Sequence, residues 1–304
     1  MAAEMRIRVL GSAAGGGFPQ WNCGCPNCRG FRAGTLNASA RTQESVAISS
    51  DGEHWVLLNA SPEIRHQLES FPPLHPRQPR HSPIAGILLT NGDLDHCLGL
   101  LSLRESYPLT VYATDRVRRG FTEGNVLYRT LERFADQVTW RALKLGREEE
   151  LTTGLSVEAV AVPGKPPIHL EGLFPPDAED SVGFRIRETR TGKVLAYFSG
   201  VGGVSPAVAQ ALADADCVFF DGTFWSEDEL PALGVGEKRA RDMAHAPLGG
   251  PHGSLSALGT LRAARRILIH VNNTNPLLRV DSLERAEVTA RGWEVAYDGM
   301  EVSL

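Results

Sequence analysis

The chain has 304 residues, a formal net charge of −5 and an isoelectric point near 6.0, and 42% of its residues are hydrophobic and 22% charged. This balance predicts a soluble globular protein with no general attraction for nucleic acid or anionic membranes, so we expect neither as a partner. No stretch approaches the roughly 18–20 apolar residues of a membrane span, and the first ten residues lack the apolar core of a signal peptide, which predicts a cytoplasmic location.

The N-terminal segment predicts a strand that leads into a glycine-rich loop. Residues 6–10 alternate as an opening strand does, and residues 11–17 (GSAAGGG) then break the pattern. The glycine spacing does not match a dinucleotide-binding fingerprint, and no acidic residue follows at the distance that such a site needs. We therefore interpret residues 11–17 as a loop near a functional site.

Three of the five cysteines, Cys23, Cys25 and Cys28, lie within six residues in a loop at 21–30. In a reducing compartment this spacing indicates a metal site rather than disulfides, and three thiolates suit a structural Zn²⁺. Such a zinc ion needs a fourth ligand from elsewhere in the chain. Buried free thiols and a redox function are the alternatives.

The next apolar runs predict a hairpin and the start of a helix. Residues 45–48 and 55–58 read as two strands around Asp51-Gly52, and residues 61–63 (SPE) have the capping and first-turn residues of a helix. The proline-rich stretch at 71–83 then predicts a loop before the sheet resumes.

A cluster of polar and charged side chains follows the buried strand predicted at residues 84–89. The run is short, apolar and β-branched, and segment 90–96 (TNGDLDH) stands where this strand ends and a helix begins. Asp93, Asp95 and His96 offer oxygen and nitrogen ligands to one divalent cation of the kind that suits iron, manganese or zinc. An Asp-rich turn that caps the helix is the alternative.

Short strands alternate with helices through the rest of the chain. Strands are predicted at residues 109–113, 157–162, 182–186, 194–198, 217–220 and 267–271, and helices at 125–134, 205–213 and 254–264. This alternation predicts a layered α/β fold rather than a helical bundle or a β-sandwich. Neither a repeat nor a long linker interrupts it, so we expect one domain over residues 1–304.

Asp221 and His270 each follow a predicted strand, and His245 lies in a loop of small residues. If these strands are neighbours, Asp221 and His270 converge with Asp95 and His96 at one edge of the sheet, where open α/β folds bind ligands. His245 is a candidate ligand or proton shuttle because its ordinary pKa lies near neutrality. For each residue alone, a cap or a satisfied buried polar group is the alternative.

These segments together resemble the metallo-β-lactamase-fold superfamily. Residues 90–96 resemble its His-x-His-x-Asp-His signature, and the later motifs follow in its order: 196–200 (AYFSG), 219–225 (FFDGTFW), His245 and 269–276 (IHVNNTNP). Within that superfamily, the segments that closely resemble the pyrroloquinoline quinone biosynthesis protein B family are 21–28 (WNCGCPNC), 270–276 and 297–301 (YDGME). The resemblance implies an αββα four-layer sandwich with a metal site at one edge.

The sequence departs from hydrolases of this superfamily at ligand positions. Asn91 and Asp93 stand where those hydrolases have their first two histidines, and Val201 stands where they have a bridging aspartate. A two-metal hydrolytic centre is therefore not expected. Related phosphodiesterases complete a three-cysteine zinc site with a histidine at the position of Asn273, which leaves the fourth zinc ligand of this chain open.

The resemblance implies a step in making pyrroloquinoline quinone (PQQ). We expect an oxygenase that uses non-haem Fe²⁺ and molecular oxygen to hydroxylate the tyrosine ring of the cross-linked glutamate–tyrosine precursor, with Mn²⁺ or Zn²⁺ as alternatives in the isolated protein. The implied active-site ligands are Asp93, Asp95, His96, Asp221 and His270, with catalytic functions for His245, Asp93 and Asp221, and Cys23, Cys25 and Cys28 would hold a structural zinc. A homodimer is one option for the assembly.

A carrier that helps to move PQQ or its precursor out of the cytoplasm is the alternative function. The retained ligand set of Asp95, His96 and His270 weighs against it, because a pure carrier does not need one. A hydrolase is disfavoured by Asn91 and Val201.

Overall fold

Apolar runs form two seven-stranded sheets in the computed structural model, which describes residues 4–151 and 154–304. The strands from the first half of the chain are β1 (Arg6–Gly11), β2 (Ser45–Ser49), β3 (Trp55–Leu58), β4 (Ile84–Leu88), β5 (Leu109–Ala113) and β6 (Val138–Ala142). Those from the second half are β7 (Glu148–Glu150), β8 (Leu155–Ala161), β9 (Val182–Glu188), β10 (Val194–Phe198), β11 (Cys217–Asp221), β12 (Arg265–Ile269), β13 (Glu294–Val295) and β14 (Glu301–Ser303).

The two sheets face each other across the main apolar core. The N-terminal sheet has the order β14-β1-β2-β3-β4-β5-β6, and the C-terminal sheet has the order β13-β12-β11-β10-β9-β8-β7. Buried side chains of both sheets pack together between them, among them Val9 and Ile48 from one and Phe184, Tyr197 and Ile267 from the other. Strands whose residues are buried on both faces, such as β2, β3, β10 and β11, therefore read as unbroken apolar runs in the sequence.

Helices cover the outer face of each sheet. They are α1 (Pro26–Arg32), α2 (Ile64–Glu69), α3 (Leu94–Cys97), α4 (Asp115–Thr122), α5 (Pro206–Ala213), α6 (Glu229–Ala232), α7 (Ser254–Ala257) and α8 (Leu283–Ala290). Short 3₁₀ helices span Pro72–Leu74, Leu98–Leu103, Val126–Leu131, Ile168–Leu170, Arg241–Met243 and Pro276–Leu278. One outer apolar cluster packs α2 and α4 on the N-terminal sheet, and another packs α5, α7 and α8 on the C-terminal sheet. The layer order helix, sheet, sheet, helix confirms the predicted αββα sandwich.

Two predicted helices are wrong in extent. The helix predicted at 254–264 ends at Ala257, because the chain turns at Gly259 and must reach β12, where the Ala264 N–H donates to the Asp216 carbonyl. The helix predicted at 125–134 is only the 3₁₀ helix Val126–Leu131, and Asp136 beyond it takes a left-handed φ of 58° that a helix cannot continue through.

Four helices escaped the sequence-based prediction: α1, α4, α6 and α8. Two of them carry an N-cap signal in the sequence, since the side chain of Thr114 accepts from the N–H of Val117 and that of Ser282 accepts from the N–H of Arg285. Strands β6, β7, β13 and β14 were also missed, because they are short or exposed and lack an apolar run.

None of the helices in residues 4–151 and 154–304 has the length and apolar character that a membrane crossing requires. Residues 1–3 and 152–153, which fall within the predicted N-terminal segment and the predicted single domain, lie outside the described residues.

Candidate metal centre

The candidate metal centre lies where strands of both sheets end. Residues after β4 lead into α3, which carries Asp95 and His96, while Asp221 ends β11 and His270 directly follows β12. β11 and β12 are parallel and in register, with Asp221 opposite Ile269, so their ends share one edge of the C-terminal sheet. The edge meets the N-terminal sheet because the Val182 N–H donates to the Thr90 carbonyl. These elements therefore bring Asp95, His96, Asp221 and His270 to the same edge of the two sheets.

Asp95, His96 and His270 bring three ligand atoms together. His96 Nε2 lies 3.1 Å from His270 Nε2, and Asp95 Oδ2 lies 3.2 Å from His270 Nε2 and 3.7 Å from His96 Nε2. All three atoms fit within 4.8 Å of one another. Two imidazoles and one carboxylate at this spacing form a donor set that suits a divalent iron, manganese or zinc ion.

The far nitrogen of each histidine is held by a threonine hydroxyl. Thr90 Oγ1 donates to Asn59 Oδ1, and Thr223 Oγ1 donates to Asp221 Oδ1 at 2.6 Å. Each hydroxyl oxygen is therefore left to accept the Nδ1–H of a histidine, His96 at 2.8 Å and His270 at 2.8 Å. With the proton fixed on Nδ1, the lone pairs of both Nε2 atoms face the space between the two rings, as metal-binding histidines require.

The carboxylate of Asp221 holds His245, and both of its oxygens already accept hydrogen bonds. This fully buried carboxylate accepts from Val201 N at 2.7 Å, Thr223 N at 2.9 Å and His245 Nδ1 at 2.7 Å. Burial disfavours the charged form of both side chains. The attraction and hydrogen bond between Asp221 and His245 outweigh this effect, so the pKa of His245 is raised and that of Asp221 is lowered. The His245 ring stacks on His270 with centroids 5.2 Å apart, and Asp221, His245 and His270 offer a second group of ligand atoms within 4.8 Å.

Asp93 stands apart from both ligand groups. It is half-buried at the N-cap position of α3, and its side chain makes no capping hydrogen bond. Burial and the neighbouring Asp95 carboxylate raise the pKa of Asp93 to about 6. A carboxyl group that titrates near neutrality beside a ligand set is suited to proton exchange.

Glu44 and Asn59 are polar residues of this site that sequence reasoning missed. Asn59 Nδ2 donates to Glu44 Oε2 at 2.8 Å and lies 3.1 Å from His96 Nδ1, while its Oδ1 accepts from Thr90. Glu44 is fully buried, and burial raises its pKa far above the ordinary value. Asn59 follows β3 just as Asp221 ends β11, so the same strand-end pattern could have found it. Glu44 carries no comparable signal.

The glycine-rich loop closes the site from the N-terminal side, as predicted. Ala14 N–H donates to the Val271 carbonyl, and Val271 N–H donates to the Ser12 carbonyl, so the loop runs alongside the segment that follows His270. A Cβ atom at Gly15 would stand 3.2 Å from Asp95 Oδ2, a tight contact that would require the carboxylate to shift by a few tenths of an ångström. His270 itself adopts a left-handed φ of 62°, a strained conformation that clusters at functional sites.

The cysteine cluster is a second, separate group of ligands. The sulfurs of Cys23, Cys25 and Cys28 lie within 4.8 Å of one another, and all are free thiols. Cys25 is the N-cap of α1, where its sulfur accepts from the N–H of Cys28. Burial raises the pKa of the Cys25 thiol to about 12. The side-chain amide of Asn273 lies against all three sulfurs, so a distant loop completes the cluster.

Comparison with known proteins places this architecture in a family. The family profile described as "Beta-lactamase superfamily domain" matches residues 54–271. The chain is 46% identical over 304 residues to "Coenzyme PQQ synthesis protein B" of Stutzerimonas stutzeri, covering 99% of this chain and 100% of that protein. It is 44% identical over 303 residues to the protein of the same name from Pseudomonas syringae pv. tomato, with the same coverage.

Solved structures agree in fold. The crystal structure of Zn²⁺-bound PqqB from Methylobacterium extorquens superposes with a TM-score of 0.93 at 44% identity, over 98% of this chain and 100% of that one. A diphosphatase of the PhnP family superposes with a TM-score of 0.69 at 21% identity, over 99% of this chain and 97% of that one, a likeness of fold alone.

Proposed function

This chain belongs to the family of coenzyme PQQ synthesis protein B within the β-lactamase superfamily, and from that premise we propose that it serves PQQ biosynthesis as a metal-dependent oxygenase. The substrate is the glutamate–tyrosine-derived precursor of the quinone, and the reaction is hydroxylation of its tyrosine ring. One oxygen atom of O₂ enters a ring C–H bond and the other leaves as water, with two electrons from a reductant.

The observation that carries the proposal is the ligand set of two histidines and one carboxylate. Asp95, His96 and His270 present two Nε2 atoms and one oxygen at 3.1–3.7 Å spacing. Such a set leaves coordination positions open on one side of the metal, which is the arrangement of non-haem Fe²⁺ oxygenases. When bound, Fe²⁺ would supply the activation of O₂, while the threonine-held Nδ1–H groups keep both histidines in the tautomer that binds it.

One metal rather than two fits the surrounding residues. The Val201 side chain is apolar and fully buried where a bridging carboxylate would be needed, and its N–H is committed to Asp221. The Asp221 carboxylate is in turn occupied by hydrogen bonds from backbone and side chains. A hydroxide shared between two metals, the nucleophile of the hydrolytic members, therefore lacks its ligands.

The remaining polar groups supply proton transfer and orientation. Asp221 holds Nδ1 of His245, which leaves Nε2 of His245 to exchange a proton with the substrate. We assign a part in that exchange to Asp93, because burial and the neighbouring Asp95 raise its pKa to about 6. Asp221 itself acts as a positioning residue.

The cysteine loop serves structure in this proposal. Cys23, Cys25 and Cys28 hold a structural zinc that fixes the N-terminal loop beside the active site. The single domain over residues 1–304, the cytoplasmic location and the homodimer option stay predictions.

Protein purified without oxygen, loaded with Fe²⁺ and mixed with the precursor tests the proposal. We expect the precursor to gain one oxygen atom only when O₂ and a reductant are both present, with ¹⁸O₂ supplying the new oxygen. Zn²⁺-loaded protein is the matched control and should be inactive. Cleavage of the precursor without O₂, or incorporation of oxygen from water, would refute an oxygenase.

A further inference from the structure

The side chain of Asn273 occupies the open face of the cysteine cluster. Its side-chain amide nitrogen, Nδ2, lies at hydrogen-bond distance from all three sulfurs, 3.1 Å from that of Cys23, 3.6 Å from that of Cys25 and 3.4 Å from that of Cys28. Cys25, Cys28 and Asn273 are all buried. One side-chain atom is therefore near-equidistant from three sulfurs that are themselves close together.

Two of these distances, 3.6 Å and 3.4 Å, are close to the edges of a coordination tetrahedron, and the third, 3.1 Å, is shorter. A zinc ion with bonds of about 2.3 Å to sulfur and about 2.1 Å to oxygen places an oxygen ligand about 3.6 Å from each sulfur. The terminal atom of Asn273 already stands at the fourth corner that three thiolates leave empty. A half turn about the last side-chain torsion exchanges the amide oxygen and nitrogen, because the two ends of the amide have nearly the same shape.

The backbone of Asn273 holds this side chain in place. Its carbonyl accepts from Asn27 Nδ2 at 3.2 Å, and the same amide group donates to the carbonyl of Asn275 at 3.0 Å. Asn27 lies in α1, between Cys25 and Cys28. The cysteine loop and the segment that follows His270 are thus already joined, which limits the entropy lost when a ligand from one meets the metal of the other.

We propose that Asn273 is the fourth ligand of the cysteine metal site and binds zinc through its amide oxygen. The assignment rests on the cysteine zinc site proposed above. A Cys₃Asn site carries one negative charge fewer than a four-cysteine site would. Because Asn273 is three residues from His270, the zinc also ties the active-site strand end to the N-terminal loop.

Substitutions at Asn273 separate a metal ligand from a hydrogen-bond donor. The probes are Zn²⁺, measured by competition with a chromophoric chelator, and Co²⁺, whose thiolate-to-metal charge-transfer band reports the cysteine site alone. Asn273→Ala should weaken zinc binding by about tenfold or more. Asn273→Asp and Asn273→His each supply a ligand atom, so both should bind zinc at least as tightly as the natural protein and keep tetrahedral Co²⁺ spectra.

The opposite results would overturn the assignment. If the amide only donates N–H groups to thiolates, Asn273→Asp brings a carboxylate against them and should lose affinity at least as severely as Asn273→Ala. Unchanged affinity in Asn273→Ala would equally exclude a ligand. Asn22→Asp, an exposed neighbour of Cys23, controls for the added charge and should change nothing. If Cys25→Ser binds as much zinc as the natural protein, the proposed cysteine zinc site is wrong, and the assignment of Asn273 as its ligand is wrong as well.

Discussion

The two candidate metal sites are built in opposite ways. The histidine centre takes Asp95 and His96 from a helix after the N-terminal sheet and His270 from the end of a strand in the C-terminal sheet. The cysteine cluster takes three ligands from six consecutive residues and needs one contact from afar, that of Asn273. The first site exists only when both sheets have packed, whereas the second is nearly complete in a local loop.

The protein groups that surround the two sites also differ. In the histidine centre, hydroxyl and carboxylate groups fix the far side of each ring and leave the metal side with three ligands and open positions. In the cysteine cluster, the side chain of Asn273 lies against all three sulfurs. An open site suits a reaction and a closed one suits structure, which is why we propose chemistry for the first and stability for the second.

The largest effect on activity is expected from His270→Ala, which would disrupt the histidine centre and leave the cysteine cluster intact. Removing this ligand should lower turnover by at least about 100-fold and release the active-site metal, while the zinc content at the cysteines and the melting temperature change little. Single-turnover assays, metal analysis and thermal unfolding measure the three quantities. Exposed His252→Ala is the matched control and should retain activity.

The same variant separates enzyme from carrier in cells. Cells with His270→Ala should accumulate the unhydroxylated precursor. Normal quinone in the cytoplasm, with little outside the cell, would favour transport instead.

Cys25→Ser should break the closed site alone. We expect the loss of about one equivalent of zinc and a fall of a few kcal/mol in the free energy of unfolding, because metal binding is coupled to the order of the loop. Denaturant unfolding and zinc analysis measure the change. Cys217→Ser, at a buried cysteine far from the cluster, should keep its zinc even if it lowers stability. A zinc content unchanged by Cys25→Ser would refute the structural site.

A smaller, pH-dependent effect sharpens the comparison at the segment that joins the sites. Glu229 accepts from Thr274 Oγ1 at 2.5 Å and from Trp225 N at 2.7 Å, and burial, only partly offset by these bonds, raises its pKa to about 7. The folded protein thus prefers the neutral acid. The stability that this preference confers is fully present below the ordinary pKa of 4.5 and is lost as the pH rises through 7.

Glu229→Gln mimics the neutral acid and should remove that pH dependence. The free energy of unfolding of the natural protein should fall by about 2–3 kcal/mol between pH 4.5 and pH 8 relative to that of the variant. Urea unfolding across this range measures it, with exposed Glu105→Gln as the control that keeps the natural slope. Parallel pH profiles for the natural protein and Glu229→Gln would show that folding leaves the pKa of Glu229 at its ordinary value, contrary to this account.

The sequence predicted the site better than it predicted the outer elements. Apolar runs such as Phe219–Phe220 followed by Asp221 mark buried strands and their ends directly, because burial on both faces leaves no other pattern. Resemblance then implied an αββα sandwich with a metal site at one edge, and His270 does lie beside His96 there. Thr90, Thr223 and Glu44 could not be assigned, because their functions depend on hydrogen bonds that only the packed sheets create. Strand β13 has two residues and carries too little pattern to be seen.

The central claim, one active-site metal in an open three-ligand set and one closed zinc site, is tested most directly by anomalous diffraction. Crystals grown with zinc and soaked in Mn²⁺ would be measured at the absorption edges of both metals. We predict one manganese peak bounded by Asp95, His96 and His270, and one zinc peak among the three cysteines. A second full-occupancy peak between Asp221, His245 and His270, roughly 3.5–4 Å from the first, would contradict the account and indicate a two-metal centre.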